Sequence, residues 1–140
     1  MYATRTDMIT RFGEEELILL TDHDGDQGVI DEAVLTQSIA DASAEIDGYL
    51  GGRYSLPLPN VPAHLTRICC DIARYLLHDE HAREPIAKRY DDAIRFLKSL
   101  ASGQIGLGMP DEGDASPSNN TAQISSAGSV FARQSSKDFI

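Results

Sequence analysis

Asp22, Asp24 and Asp26 alternate along the run Asp22-His23-Asp24-Gly25-Asp26-Gln27-Gly28-Val29-Ile30-Asp31-Glu32. Alternating carboxylates can converge on a cation. Calcium loops of this kind carry a glycine at the sixth position and a bidentate glutamate at the twelfth. Counted from Asp22, those positions are Gln27 and Ala33, and Gly28 and Glu32 each miss by one. The run is therefore expected to hold no metal and to be a solvated turn, with Asp31 capping the helix that follows. His78 and His81 have the i, i+3 spacing of some metal ligands, but no third ligand is placed beside them. A solvated helix end, with histidines near its negative C-terminus, is the simpler reading. Cys69 and Cys70 are adjacent, so on a helix they point about 100° apart and are poorly placed to pair. They read as small buried hydrophobes in a reducing compartment. There is no Ser/His/Asp ordering, phosphate-cradling glycine loop or forced pair of carboxylates on which to build catalysis. The expectation is a protein that is not an enzyme and binds no cofactor.

The elements that position these residues are helices. Thr6, followed by Asp7, predicts an N-cap and a short helix closed by Gly13. Glu14–Thr21 predicts a second short helix, with its three acids at the positive end of the dipole and Leu17, Ile18 and Leu20 inward. From Asp31 to about Leu50, Val34, Leu35, Ile39, Ala42, Ile46, Tyr49 and Leu50 recur at three- and four-residue spacing. That stripe predicts the longest helix, a rod of roughly 30 Å. Pro62 to about His78 carries a broad apolar face of Leu65, Ile68, Cys69, Ile72, Ala73, Leu76 and Leu77. Pro85 opens a last helix to about Ser102, lined by Tyr90, Ala93, Ile94, Leu97, Leu100 and Ala101 and ended by Gly103.

Between the two central helices lies a corner, Tyr49-Leu50-Gly51-Gly52-Arg53-Tyr54-Ser55-Leu56-Pro57-Leu58-Pro59-Asn60-Val61-Pro62. Gly51 or Gly52 is expected to end the preceding helix with a positive φ, which glycine adopts without steric cost. Pro57, Pro59 and Pro62 hold the connection extended. Arg53 is expected to meet a carboxylate, such as Asp47 or one from a neighbouring subunit, or else a carbonyl.

The corner and its approach resemble the Mu-like phage head–tail connector family. The match runs through Glu45, Ile46, Asp47, Tyr49, Leu50, Gly52, Arg53, Tyr54, Leu56, Pro57 and Leu58. The opening Met-Tyr-Ala-Thr with Asp7, Arg11, Phe12 and Gly13 is similar to that family as well, as is Val130-Phe131-Ala132-Arg133. The resemblance implies a structural virion protein at the head–tail junction, made in the host bacterial cytoplasm. It implies a homo-oligomeric ring of about twelve subunits, closed through two different faces of each subunit. The partners it implies are the portal protein on one side and a neck or tail-terminator protein on the other, with genome DNA passing through the bore.

Composition bounds the rest. The chain has 140 residues, a formal charge of −10, 41% hydrophobic and only 6% aromatic residues, and no tryptophan. This permits one modest helical core. An acidic balance argues against a surface that grips nucleic acid, and no apolar run approaches the roughly 18 residues of a membrane span. The expected fold is an all-α bundle of four to five helices over residues 1–103, with an extended, irregular C-terminal arm over 104–140. Residues 104–129 are rich in Gly, Ser, Asn, Pro and Asp, and alone cannot offset their ordering entropy. Val130, Phe131, Arg133 and Phe139 then restore aromatic and basic anchors, the side chains that dominate interfaces. The arm is expected to order on docking. Two other classes fit the sequence: a monomeric regulator or inhibitor of one cellular partner, and a calcium-responsive module built on Asp22–Glu32. Assembly state separates the first from a ring, and calorimetry with calcium tests the second.

Overall fold

The computed structural model describes residues 1–25 and 27–108, and among these the architecture is all-α. The elements are α1 (Arg5–Phe12), α2 (Glu14–Thr21), α3 (Glu32–Leu50), α4 (Ala63–His78) and α5 (Glu84–Ser102), with a 3-10 turn at Asp79–His81. No strand occurs among the described residues.

Local chemistry sets the helix starts. The Asp31 carboxylate accepts from the N–H groups of Ala33 (3.1 Å) and Val34 (3.2 Å), satisfying two amides that the start of α3 would leave unpaired. α1 is capped by Thr4, not by the expected Thr6. The Thr4 hydroxyl accepts from Asp7 N–H (3.2 Å), and the Asp7 carboxylate accepts from Thr4 N–H (2.9 Å). A reciprocal capping box needs partners three residues apart, and only Thr4 stands at that distance from Asp7. Pro62 is the cap of α4, and Pro85 lies in the first turn of α5.

α3, α4 and α5 pack against one another as the core of the body. The edge-on pair His64–Phe96 (5.3 Å) and the stacked pair Tyr75–Tyr90 (4.0 Å) show α4 and α5 running in opposite directions. Ser43 of α3 meets Cys69 of α4 at 3.6 Å, while Tyr90 of α5 donates to Glu45 of α3 at 3.1 Å. The centres of the stripes meet as expected, Leu35, Ile39, Ala42, Ile46 and Leu50 being buried with Leu65, Ile68, Ile72, Ala93, Leu97 and Leu100. Val34, Tyr49, Tyr90 and Ile94 are half-buried at the edges, and Ala101 is exposed. α1 and α2 lie on this core through Met8 and Leu17, both fully buried. Of the three α2 residues expected inward, only Leu17 is fully so; Ile18 and Leu20 are half-buried. The apolar face of α4 is shorter than expected, because Leu76 is 36% exposed. The chain leaves α4 through Asp79 at φ 55, backbone geometry that is uncommon for a residue with a side chain.

Candidate functional site

The corner after α3 does not use its glycines as expected. Gly51 has φ −60 and ψ −22, so it continues the right-handed helix, and Gly52 is not in the positive-φ region either. The physical reason lies in the hydrogen bonds. Arg53 N–H and Tyr54 N–H both donate to Leu50 O at 2.9 Å, closing α3 with helix-like turns that need no left-handed residue. The left-handed glycine stands at the end of α5 instead. Gly103 has φ 86, its N–H donates to Leu100 O (3.2 Å), and Gln104 N–H donates to Ser99 O (3.0 Å). That pair of bonds is a Schellman closure.

The two helix ends then meet. The Arg53 guanidinium donates to Leu100 O (2.8 Å) and to Ile105 O (2.7 Å). A cation on the last carbonyls of a helix is favoured by the dipole and satisfies acceptors that the helix cannot. The same guanidinium lies 5.3 Å from the centre of the Tyr54 ring. Tyr54 is buried, and its hydroxyl accepts from Leu107 N–H at 3.1 Å. Leu107 is itself buried against the core. The segment expected to leave the body at 104 therefore begins on it, with Gln104–Gly108 held by Arg53 and Tyr54. Of the partners expected for Arg53, the structure provides carbonyls. Asp47 instead accepts from the Tyr2 hydroxyl, while Tyr2 N–H donates to Ser43 Oγ (3.2 Å). Tyr49 is half-buried against the core, and Pro57 follows a cis peptide bond. Val130, Phe131, Arg133 and Phe139 lie outside the described residues.

The remaining candidates have structural uses. Asp22 accepts from the N–H groups of Gln27 (3.1 Å) and Gly28 (2.9 Å), which turns the acidic loop on itself. Among the described residues, no three metal-ligating side chains converge. Cys69 and Cys70 are fully buried and unpaired with each other. Burial holds both thiols above their ordinary range, Cys70 at about 12, so at neutral pH neither is a thiolate nucleophile. His78 is half-buried, with its Nε2 4.0 Å from Glu16, and burial pulls its pKa down.

A second polar cluster gave no sequence signal beyond one acid in an apolar run. Asp71, 3% exposed, sits on α4 between Cys70 and Ile72. Arg67 of α4 (3.4 Å) and Arg89 of α5 (3.6 Å) face its carboxylate. Burial raises the Asp71 pKa, and the arginines, Arg89 foremost, oppose that shift. Nearby, Arg74 makes a two-pronged pair with Glu16 of α2 (2.6 and 2.9 Å) and stands 4.4 Å over the Phe12 ring. Arg11, Phe12, Glu16, Asp71, Arg74 and Arg89 line a polar cleft of about 250 Å³ that joins α1, α2, α4 and α5.

The chain belongs to the phage protein family described as "Bacteriophage Mu, Gp36", whose model matches residues 2–126. It is similar to the "Mu-like prophage FluMu protein gp36" of Haemophilus influenzae, 45% identical over 140 residues, with 100% of this chain and 99% of that protein covered. It is also similar to "Gene product J" of Escherichia phage Mu, 39% identical over 140 residues, with 99% of each chain covered.

Proposed function

We propose that this chain is a structural head–tail connector of a long-tailed, Mu-like phage. It stands in the virion as a homo-oligomeric ring between the portal protein and a neck or tail-terminator protein. The observation that carries this reading is the fastening of residues 104–108 to the corner by Arg53 and Tyr54. It gives the C-terminal arm a fixed point of departure from a helical body, as a part that must reach a second layer requires. Membership of the Mu Gp36 family supports it.

In this reading the helical bodies meet through two unlike faces, which closes a ring. The arms reach the adjoining layer with Val130, Phe131, Arg133 and Phe139 as anchors. One phenylalanine contributes about 1.5–3 kcal/mol on burial, so one arm holds weakly and a ring of arms holds firmly. The formal charge of −10 suits a bore through which DNA slides. No helix of the described residues is long and apolar enough to cross a membrane, and the reading requires none.

The test is a phage carrying the chain cut after residue 127. The truncated protein is expected to stay folded and helical by circular dichroism, while electron microscopy shows filled heads and separate tails. Infectious, joined particles from the truncated chain would overturn the role of the arm. A protein that stays monomeric at every concentration, and beside heads, would overturn the ring.

A further inference from the structure

We propose that the hollow between α3 and the end of α4 is a seat for this chain's own residues Val130–Arg133 before assembly. Phe131 fills the hollow, and Arg133 lies on its acidic rim. The inference rests on the reading of the C-terminal segment as a docking arm, and it says where that arm is kept until it docks.

The hollow measures about 450 Å³, within the range of sites that enclose an apolar group. Ala33 and Val34 wall it on one side, and Leu76 and Leu77 on the other. Leu76 is the exposed end of an otherwise apolar face, so covering it removes apolar surface from water. The rim carries Asp41 and Asp79 beside His23, and no Lys or Arg. No Lys or Arg occurs anywhere between Arg11 and Arg53, and Arg5, which reaches the start of α3, is already paired there with Glu32 (2.7 Å). Beyond Gly108, Val130-Phe131-Ala132-Arg133 joins an aromatic to a base with no acid among the four residues. The other phenylalanine of this segment, Phe139, follows Lys137 and Asp138, whose opposite charges leave no net base to meet the rim.

Length favours the chain's own arm over that of a second copy. Leu107 is fixed at Tyr54, beyond the C-terminal end of α3. The hollow lies toward the other end of α3, roughly 15–25 Å away at about 1.5 Å per residue. About 20 residues separate Gly108 from Val130, and a Gly/Ser-rich chain of that length spans about 25 Å on average. A tether matched to its span gives an effective concentration near the millimolar range. That is on the order of a thousandfold above a micromolar solution of second copies. The hollow therefore fills from its own chain first, and a partner that binds the arm more tightly withdraws it.

The test uses the full chain with Phe131→p-benzoylphenylalanine, irradiated at micromolar concentration as an equal mixture of unlabelled and 15N-labelled protein. Expected are adducts on residues 33–41 or 76–79, each within one chain and none mixing the isotopes. Leu76→Asp, at a position open to solvent, and Arg133→Glu are each expected to cut the adduct yield roughly tenfold or more. Adducts elsewhere, adducts only between chains, or a yield that neither substitution lowers would overturn the seat. Joining of heads to tails is scored separately on intact chains. Joined particles without the internal adduct remove the seat and leave the connector reading. The internal adduct in a chain that never joins heads to tails does the reverse.

Discussion

Gly103, not Gly51 or Gly52, is the glycine that ends a core helix in left-handed geometry, where a side chain is strained. Gly103 has φ 86, so Gly103→Ala is expected to lose about 1 kcal/mol in chemical denaturation. Gly52 has open space around it and no positive φ, so Gly52→Ala is expected to be neutral or to gain a few tenths of a kcal/mol. Burial makes a second residue-level prediction. The Cys70 thiol is raised from an ordinary 9.0 to about 12. The folded state thus keeps a proton that the unfolded chain gives up above about pH 9. Its contribution is whole below pH 9 and declines as pH rises toward 12, at on the order of 1 kcal/mol per pH unit. Cys70→Ala is expected to make that slope shallower in urea melts taken between pH 9 and 12, leaving the fall that Cys69, also raised by burial, gives above pH 9 and the fall that Tyr2 and Tyr90, both raised by burial, give above pH 10. The burial of Cys69 was legible from the stripe of α4, while that of Cys70, off the stripe, followed only from the small apolar character of cysteine. The φ values at the corner were not. Glycine permits left-handed geometry but does not require it, and the choice was made by Leu50 O accepting two amides.

Among the elements, α3 was read almost residue by residue, since Asp31, an apolar stripe and the glycine pair all mark it locally. α1 was misread at its start because two threonines stand close to it, Thr4 before the helix and Thr6 in its first turn, and only the one three residues from Asp7 can form the box. Thr4→Ala is expected to cost about 1 kcal/mol, while Thr6→Ala, at an exposed site, stays within about 0.5 kcal/mol. Thermal melts of the two variants side by side check the difference. The polar cluster between elements was invisible for a different reason. Asp71 and Arg89 belong to separate helices, and Glu16 and Arg74 lie 58 residues apart in sequence. Periodicity tells which way a side chain faces along its own helix but says nothing of what another helix sets against it.

At the scale of the whole molecule, the composition change after Gly103 marked a boundary, but the body keeps five residues beyond it. Leu107 is an isolated apolar residue in a glycine-rich stretch, and only the distant Tyr54 gives it a place. A chain ended after Gly103 is expected to be about 2 kcal/mol less stable than one ended after Gly108, since it loses a buried leucine and its hydrogen bonds. Urea midpoints of the two truncations measure this. The clasp also has a mechanical meaning. A pull on the chain beyond Gly108 reaches Tyr54 and Arg53 before it reaches any helix. The N–H groups of those two residues are bonded to Leu50 at the end of α3, and Arg53 also holds the last turn of α5. Tension on the arm is thus divided between two rods of the core, and no single helix is peeled from its end.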